Sequence, residues 1–186
     1  MPRIPFIDPD KLTPEQQLVY GRVVGGPRGR VQGPLLVALH RPELADKWQQ
    51  FGEILRYRTS LPPRLSEIAI LVTAQRWRCE LEWHLHEGFA VKAGVPRGVV
   101  DDILAGRRPL DADAEALDIH DYTAQLHDLR HVLPDTYKKV LDRWGVVGTV
   151  ELTALVGYYT LVAMTLNAHE FPLPQGVKPA FGAQPA

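Results

Sequence analysis

Apolar residues recur along most of this chain at steps of three and four, the period of one face of an α-helix. In "RPELADKWQQFGEIL" Leu44, Trp48, Phe51 and Leu55 share such a face, and the pattern predicts a helix that starts at Pro42 with these four on one side. "LTPEQQLVYGRVV" predicts an earlier helix, with Thr13 as N-cap, Pro14 at the first helical position and Gln16 closing a capping box. "SLPPRLSEIAILVTAQRW" starts another after its proline pair. "RCELEWHLHEGFAVKAG" reads as helical up to a C-cap at Gly94, just before Pro96. A short helix, "PRGVVDDILAG", closes at Gly106. A longer and more polar one, "DADAEALDIHDYTAQLHDLRH", takes Asp111 as N-cap. "PDTYKKVLDRWG" and the apolar "TVELTALVGYYTLVAMTLNA" complete the set.

No segment longer than about five residues alternates with period two between turn signals. The expected fold is therefore all-α, with about seven or eight helices. The loop "GGPRGRVQGP" sets off an N-terminal arm with one helix, residues 1–34, and the proline-rich segment 171–186 is expected to be a loose tail. That loop lacks the Gly-Lys-Ser/Thr of a phosphate-binding loop and no strand precedes it.

Composition narrows the function. The 186 residues carry a net charge of −1, with 45% hydrophobic and 23% charged residues, which is ordinary for a globular protein. No basic stripe points to nucleic acid. A single cysteine cannot form an intramolecular disulfide, which suits a reducing, cytoplasmic setting. The most apolar run, residues 152–168, is short for a membrane span of about 20 residues and reads as a buried helix, so no membrane partner is expected.

The candidate chemistry sits between residues 67 and 86. Ile68, Val72, Gln75, Cys79, Glu82, His86 and Ala90 fall on one helical stripe. Its apolar first half marks the inward face, so the thiol, carboxylate and imidazole of its second half point inward too. Buried polar groups cost about 1–3 kcal/mol each when unpaired, so three in a row suggest pairing or use. Glu82 and His86, one turn apart, can act as general acid and base. Apolar surroundings would raise the Glu82 pKa and suit it to protonating a substrate. Cys79 could be driven toward thiolate by a helix dipole and by Arg76 and Arg78. On one continuous helix Glu67 would lie some 22 Å from Glu82, at ~1.5 Å per residue, and it joins them only if the helix breaks near "QRWR". No proline or glycine marks such a break. The plain alternative is a structural ion pair beside a small core thiol.

"LEWHLHEGFAVKAGV" resembles the signature of the carboxymuconolactone decarboxylase family, the superfamily of alkylhydroperoxidase D, through Glu82-Trp83, His86, Ala90 and Gly94. "HRPELADKWQQFGEIL", "LPPRLSEIAILVTAQ" and "ELTALVGYYTLVAMTLNA" resemble its other helices, and the resemblance spans about residues 35–170. It implies an alkylhydroperoxidase D-like helical domain over 35–170, assembly into homodimers, trimers or hexamers, and a helix break that brings Glu67 back to the site. In the peroxidase branch of the family a second cysteine stands where this chain has Glu82. Cys79 therefore has no partner thiol within one site.

Three functions follow from these residues and the resemblance. The first is cofactor-free acid–base chemistry on a small, oxygenated, carboxylated substrate: decarboxylation, lactone opening or isomerisation. Glu82 and His86 would move protons, Glu67 would orient or relay, and Arg64, Arg76 or Arg78 would hold a carboxylate. Trp83 and Tyr158 are candidate walls for such a substrate. The second is a single-cysteine hydroperoxide reductase working through a Cys79 sulfenic acid. The third is a non-catalytic helical oligomer. No metal or cofactor is expected. His84 and His86 point about 200° apart on a helix and cannot share an ion. His120, His127 and His131 are expected on a solvated face.

Overall fold

The computed structural model describes residues 2–182. These residues form eight α-helices, with one 3-10 turn at Pro9–Lys11 and no strand. The helices are α1 (Pro14–Gly25), α2 (Leu35–Ala38), α3 (Pro42–Tyr57), α4 (Pro63–Arg76), α5 (Glu80–Lys92), α6 (Arg97–Leu104), α7 (Ala114–Leu129) and α8 (Pro134–Ala168). The all-α expectation and its helix count are met.

Local chemistry sets most of the boundaries. At α1 the Thr13 hydroxyl accepts from the Gln16 N–H at 3.3 Å, while the Gln16 side chain accepts from the Thr13 N–H at 2.9 Å, the reciprocal box that the sequence predicts. At α7 the N-cap is Asp113, which accepts from the Ala116 N–H at 2.9 Å, so the start lies two residues beyond the expected Asp111. Either aspartate could cap; Asp113 has an amide in reach. Two predicted helices meet within α8 at Gly145, whose φ of 66° breaks the helical path at a residue without a Cβ. The four-residue α2 is too short for periodicity to reveal.

The described residues cluster into two compact units: residues 2–58 with 165–172, and residues 59–164 with 173–182. In the first unit, α3 packs on α1 and α2. Its buried face carries Ala45, Trp48, Gln49, Gly52 and Leu55. Of the expected stripe, Trp48 and Leu55 are buried but Leu44 and Phe51 are 53% and 44% exposed. The buried face is thus turned by one residue, onto Ala45, Gln49 and Gly52 beside Trp48 and Leu55. The Arg3 N–H donates to the His169 carbonyl at 3.0 Å, and the Phe6 and Phe171 rings lie 4.8 Å apart.

In the second unit α4 is the hub, packed on α5, α6 and α7. Leu65 and every residue from Ile68 to Ala74 are buried. A helix apolar on all sides is one surrounded by others. α7 departs from its polar reading. It buries Ile119 and Tyr122 together with Asp118, His120 and Thr123. Asp118 takes the Arg143 guanidinium at 3.0 Å, and His120 meets Asp121 at 3.0 Å. The expected solvated histidine face is thereby corrected. His120 is buried, His127 is half-buried, and His131 lies past the helix end against the Leu129 carbonyl at 3.1 Å. Polar groups that bring their own partners can enter a core. Among the described residues no three His, Cys, Asp or Glu side chains gather as a metal site.

The tail is only partly loose. The Ala180 and Phe181 amides donate to the Glu80 carboxylate at 2.6 and 3.0 Å, and the Phe181 ring packs edge-on against Trp83 at 5.5 Å. Residues 183–186 of that tail lie outside the described residues. α8 is long and apolar enough to cross a membrane, yet half of its most apolar stretch is buried in the protein, as in a core helix.

Candidate active site

The site depends on a break that the sequence does not advertise. α4 ends at Arg76, and Arg78 adopts a left-handed φ of 46°. The Arg78 N–H bonds to the Gln75 carbonyl at 3.0 Å and the Cys79 N–H to the Ala74 carbonyl at 2.9 Å. This is a Schellman ending with arginine where glycine is usual. α5 ends in the same way with a glycine: Gly94 has φ 96°, and the Gly94 and Val95 N–H groups bond to the Val91 and Ala90 carbonyls. Cys79 then serves as the N-cap residue of α5.

The break brings α5 back onto α4. The Glu67 carboxylate on α4 reaches the His86 ring on α5, with Oε2 at 2.7 Å from Nδ1. The His86 side chain is 5% exposed and that of Glu67 is 13% exposed, so the pair is shielded and Glu67 is its more accessible member. A carboxylate on Nδ1 fixes the imidazole tautomer and makes Nε2 the basic nitrogen. The Tyr159 ring packs edge-on against His86 at 5.0 Å, and the Tyr158 ring packs edge-on against Tyr159 at 5.3 Å. The signal for Tyr159 is its place on the stripe Leu152, Leu155, Tyr159, Ala163 and Leu166, all buried.

Glu82 lies one turn before His86 and is buried, and among the described residues neither of its carboxyl oxygens has a hydrogen-bond partner. Burial pushes its pKa well above the usual carboxylate range. An acid in such surroundings keeps its proton near neutral pH and can give it away.

Cys79 departs from expectation. Burial, then the nearby Glu82 and Glu80 carboxyls, push its thiol pKa strongly up. The N-terminal position on α5 does not offset this. Neither arginine acts on it as expected. Arg76 is forked onto Asp128, at 2.8 and 3.0 Å, and Arg78 donates to the Phe181 carbonyl and lies over the Phe181 ring. Arg64 is likewise engaged, with Asp113 and Glu115 at 3.0 and 2.5 Å. Arg64 and Arg76 thus already pair with the protein's own carboxylates, whereas Arg78 meets only a backbone carbonyl and a ring. Trp83 is buried beside Glu82 in sequence, with its Nε1 unpartnered among the described residues, and Phe181 closes over its ring. The tail contact of Glu80 and Phe181 was not legible in advance, since 101 residues separate them.

The structure thus unites Glu67 and His86, sets Glu82 on the same inward face, and turns Arg64, Arg76 and Arg78 to other partners. An all-helical domain built around this Glu–His pair, beside a buried glutamate whose pKa burial raises, defines the class of protein. Residues 42–124 match the family model "Carboxymuconolactone decarboxylase family". The span runs from α3 into α7 and holds Glu67, Cys79, Glu82 and His86. No curated protein matches the chain.

Proposed function

We propose that the chain is an enzyme of cofactor-free acid–base chemistry on a small, oxygenated, carboxylated substrate. The observation that carries this reading is the 2.7 Å contact between Glu67 and His86, on the same face as a glutamate held neutral by burial. Glu67 orients His86, the Nε2 of His86 takes a proton from the substrate, and Glu82 gives one to a carbonyl oxygen. In an isomerisation, the proton removed from one carbon returns at another after the enol forms. In a decarboxylation, the bond to the carboxylate carbon breaks and carbon dioxide leaves. Its electron pair passes into the substrate's conjugated carbonyl, and one proton is then delivered to the carbon. Lactone opening by elimination uses the same pair: His86 removes the proton and Glu82 protonates the leaving oxygen.

A hydroperoxide reductase working through Cys79 requires a thiolate. The burial of Cys79 and the carboxyls beside it favour the thiol, which is why the acid–base reading stands first. The test is turnover of carboxylated γ-lactones and unsaturated carboxylic acids. Activity that survives Cys79→Ala and is lost in both Glu82→Gln and His86→Asn supports the reading; the reverse pattern sinks it.

We also propose self-association and a cytoplasmic location. Val146, Val147 and Val150 of α8 are more than 60% exposed, within one turn of each other. A second copy of the chain would cover them. Light scattering should give a mass above 20.8 kDa; a monomer at that mass would refute the assembly.

A further inference from the structure

The second unit contains a cleft of about 620 Å³, within the size range of small-molecule sites. Arg76, Trp77, Leu126, His127, Arg130 and Val156 are among the residues that line it; Glu67, Cys79, Glu82 and His86 do not. It lies where the C-terminal ends of α4 and α7 face the α8 residues Thr153–Thr160.

Helix C-termini repel anions unless their carbonyls are occupied. Here they are. The Trp77, Arg78 and Cys79 N–H groups take the Thr73, Gln75 and Ala74 carbonyls, and the Arg130 guanidinium donates to the His127 carbonyl. The charges in the cleft then add simply. Arg76 is neutralised by its fork onto Asp128. Arg130 makes no ion pair among the described residues. The His127 Nε2 lies 3.1 Å from the Thr73 hydroxyl, which itself donates to the Ala69 carbonyl at 2.9 Å, so Nε2 carries a hydrogen and donates. Burial and then the neighbouring Arg76 lower the His127 pKa, and the ring stays neutral. One positive charge is left, on Arg130, beside apolar walls of Trp77, Leu126 and Val156. Arg130 also holds a left-handed φ of 69° without being glycine, a cost that local structure must outweigh.

We propose that this cleft is a second binding site for a small monocarboxylate with an apolar body, separate from the Glu67–Glu82–His86 group. Arg130 takes the carboxylate, and Trp77, Leu126 and Val156 hold the carbon skeleton. A dianion would meet only one uncompensated cation and lose hydration at the second charge. A neutral ligand would leave Arg130 unanswered.

The test uses the full chain and 4-fluorobenzoate, followed by fluorine NMR. Saturable binding is expected, weakened at least tenfold in Arg130→Met and in the cleft-filling Val156→Phe, with partial recovery in Arg130→Lys. The uncharged 4-fluorobenzamide should neither bind saturably nor compete. Glu67→Gln should leave the affinity within about twofold, because that residue belongs to the other site. Circular dichroism confirms that each variant is folded. Three outcomes overturn the proposal: no saturable binding below ~10 mM, which corresponds to about −3 kcal/mol; equal binding of the amide; or affinity that follows Glu67 and ignores Arg130.

Discussion

Glu67 Oε2 and His86 Nδ1 lie 2.7 Å apart although 19 residues and a complete reversal of the chain separate them in sequence. Neither partner is fully solvated, so the contact is a charge-assisted hydrogen bond in a partly water-excluded space. It couples the packing of α4 on α5 to the orientation of the histidine ring. Fold and candidate chemistry are therefore read from the same pair.

Removing either member should show in both. Glu67→Ala leaves His86 buried without its carboxylate and should cost about 1–3 kcal/mol in urea unfolding. Glu67→Gln keeps the volume but cannot stabilise a positive imidazole. With an active substrate, its kcat should fall by about 10²- to 10⁴-fold, the usual worth of general acid–base catalysis, while helicity is unchanged. A variant with full kcat would reduce Glu67 to packing.

Glu82 makes stability depend on pH in a direction opposite to most carboxylates. Its folded-state pKa is raised, so the folded chain binds more protons than the unfolded chain above the ordinary glutamate pKa of about 4.3. Stability is then full below that value and declines as pH rises toward the folded-state pKa. Glu82→Gln removes the titration. Its Tm should exceed that of the wild type by a margin that widens from pH 5 to pH 8. Parallel Tm profiles for the two proteins would mean that the Glu82 carboxyl is not protonated in the fold.

Cys79 should be unreactive while the chain is folded. Its thiol is buried and its pKa raised, by desolvation first and then by Glu82. Iodoacetamide at pH 8 should modify it at least tenfold more slowly in the native protein than in urea, since the thiolate is the nucleophile. Hydrogen peroxide should leave its intact mass unchanged over the same period. Rapid oxidation to a reducible species would restore the peroxidase reading.

Much of this structure was legible because it repeats at the helical period. Each half of the stripe keeps its helical spacing on its own helix, buried at Ile68 and Val72 on α4 and at Glu82, His86 and Ala90 on α5, although the chain breaks between them. The α1 capping box and the Pro42 and Pro63 starts rest on residues that act within one turn. What stayed hidden depends on tertiary partners. Leu44 and Phe51 look like core but are half exposed. His120 looks solvated but is buried with Asp121. Phe181 looks loose until Glu80, far away in sequence, takes its amide. Helix ends were the largest blind spot. Arg78, Arg130 and Glu170 all hold left-handed φ values at or just beyond helix ends, where a glycine would have announced the stop.

Arg78 tests that last point directly. At φ 46° an L-residue gives up about 1–2 kcal/mol relative to the right-handed region. Glycine escapes this cost but loses about 0.5–1 kcal/mol of backbone entropy on folding. Arg78→Gly also removes the guanidinium from the Phe181 carbonyl and ring, an exposed contact worth about 0.5–1 kcal/mol. These effects nearly cancel, so Arg78→Gly should stay within about 1 kcal/mol of the wild type. Arg78→Val loses the same contact and sets a β-branched side chain in the left-handed region, so it should be less stable than Arg78→Gly by about 1–3 kcal/mol. If the two variants unfold at the same urea concentration, the chain does not turn through a left-handed residue at 78. Glu67 would then need another route to His86.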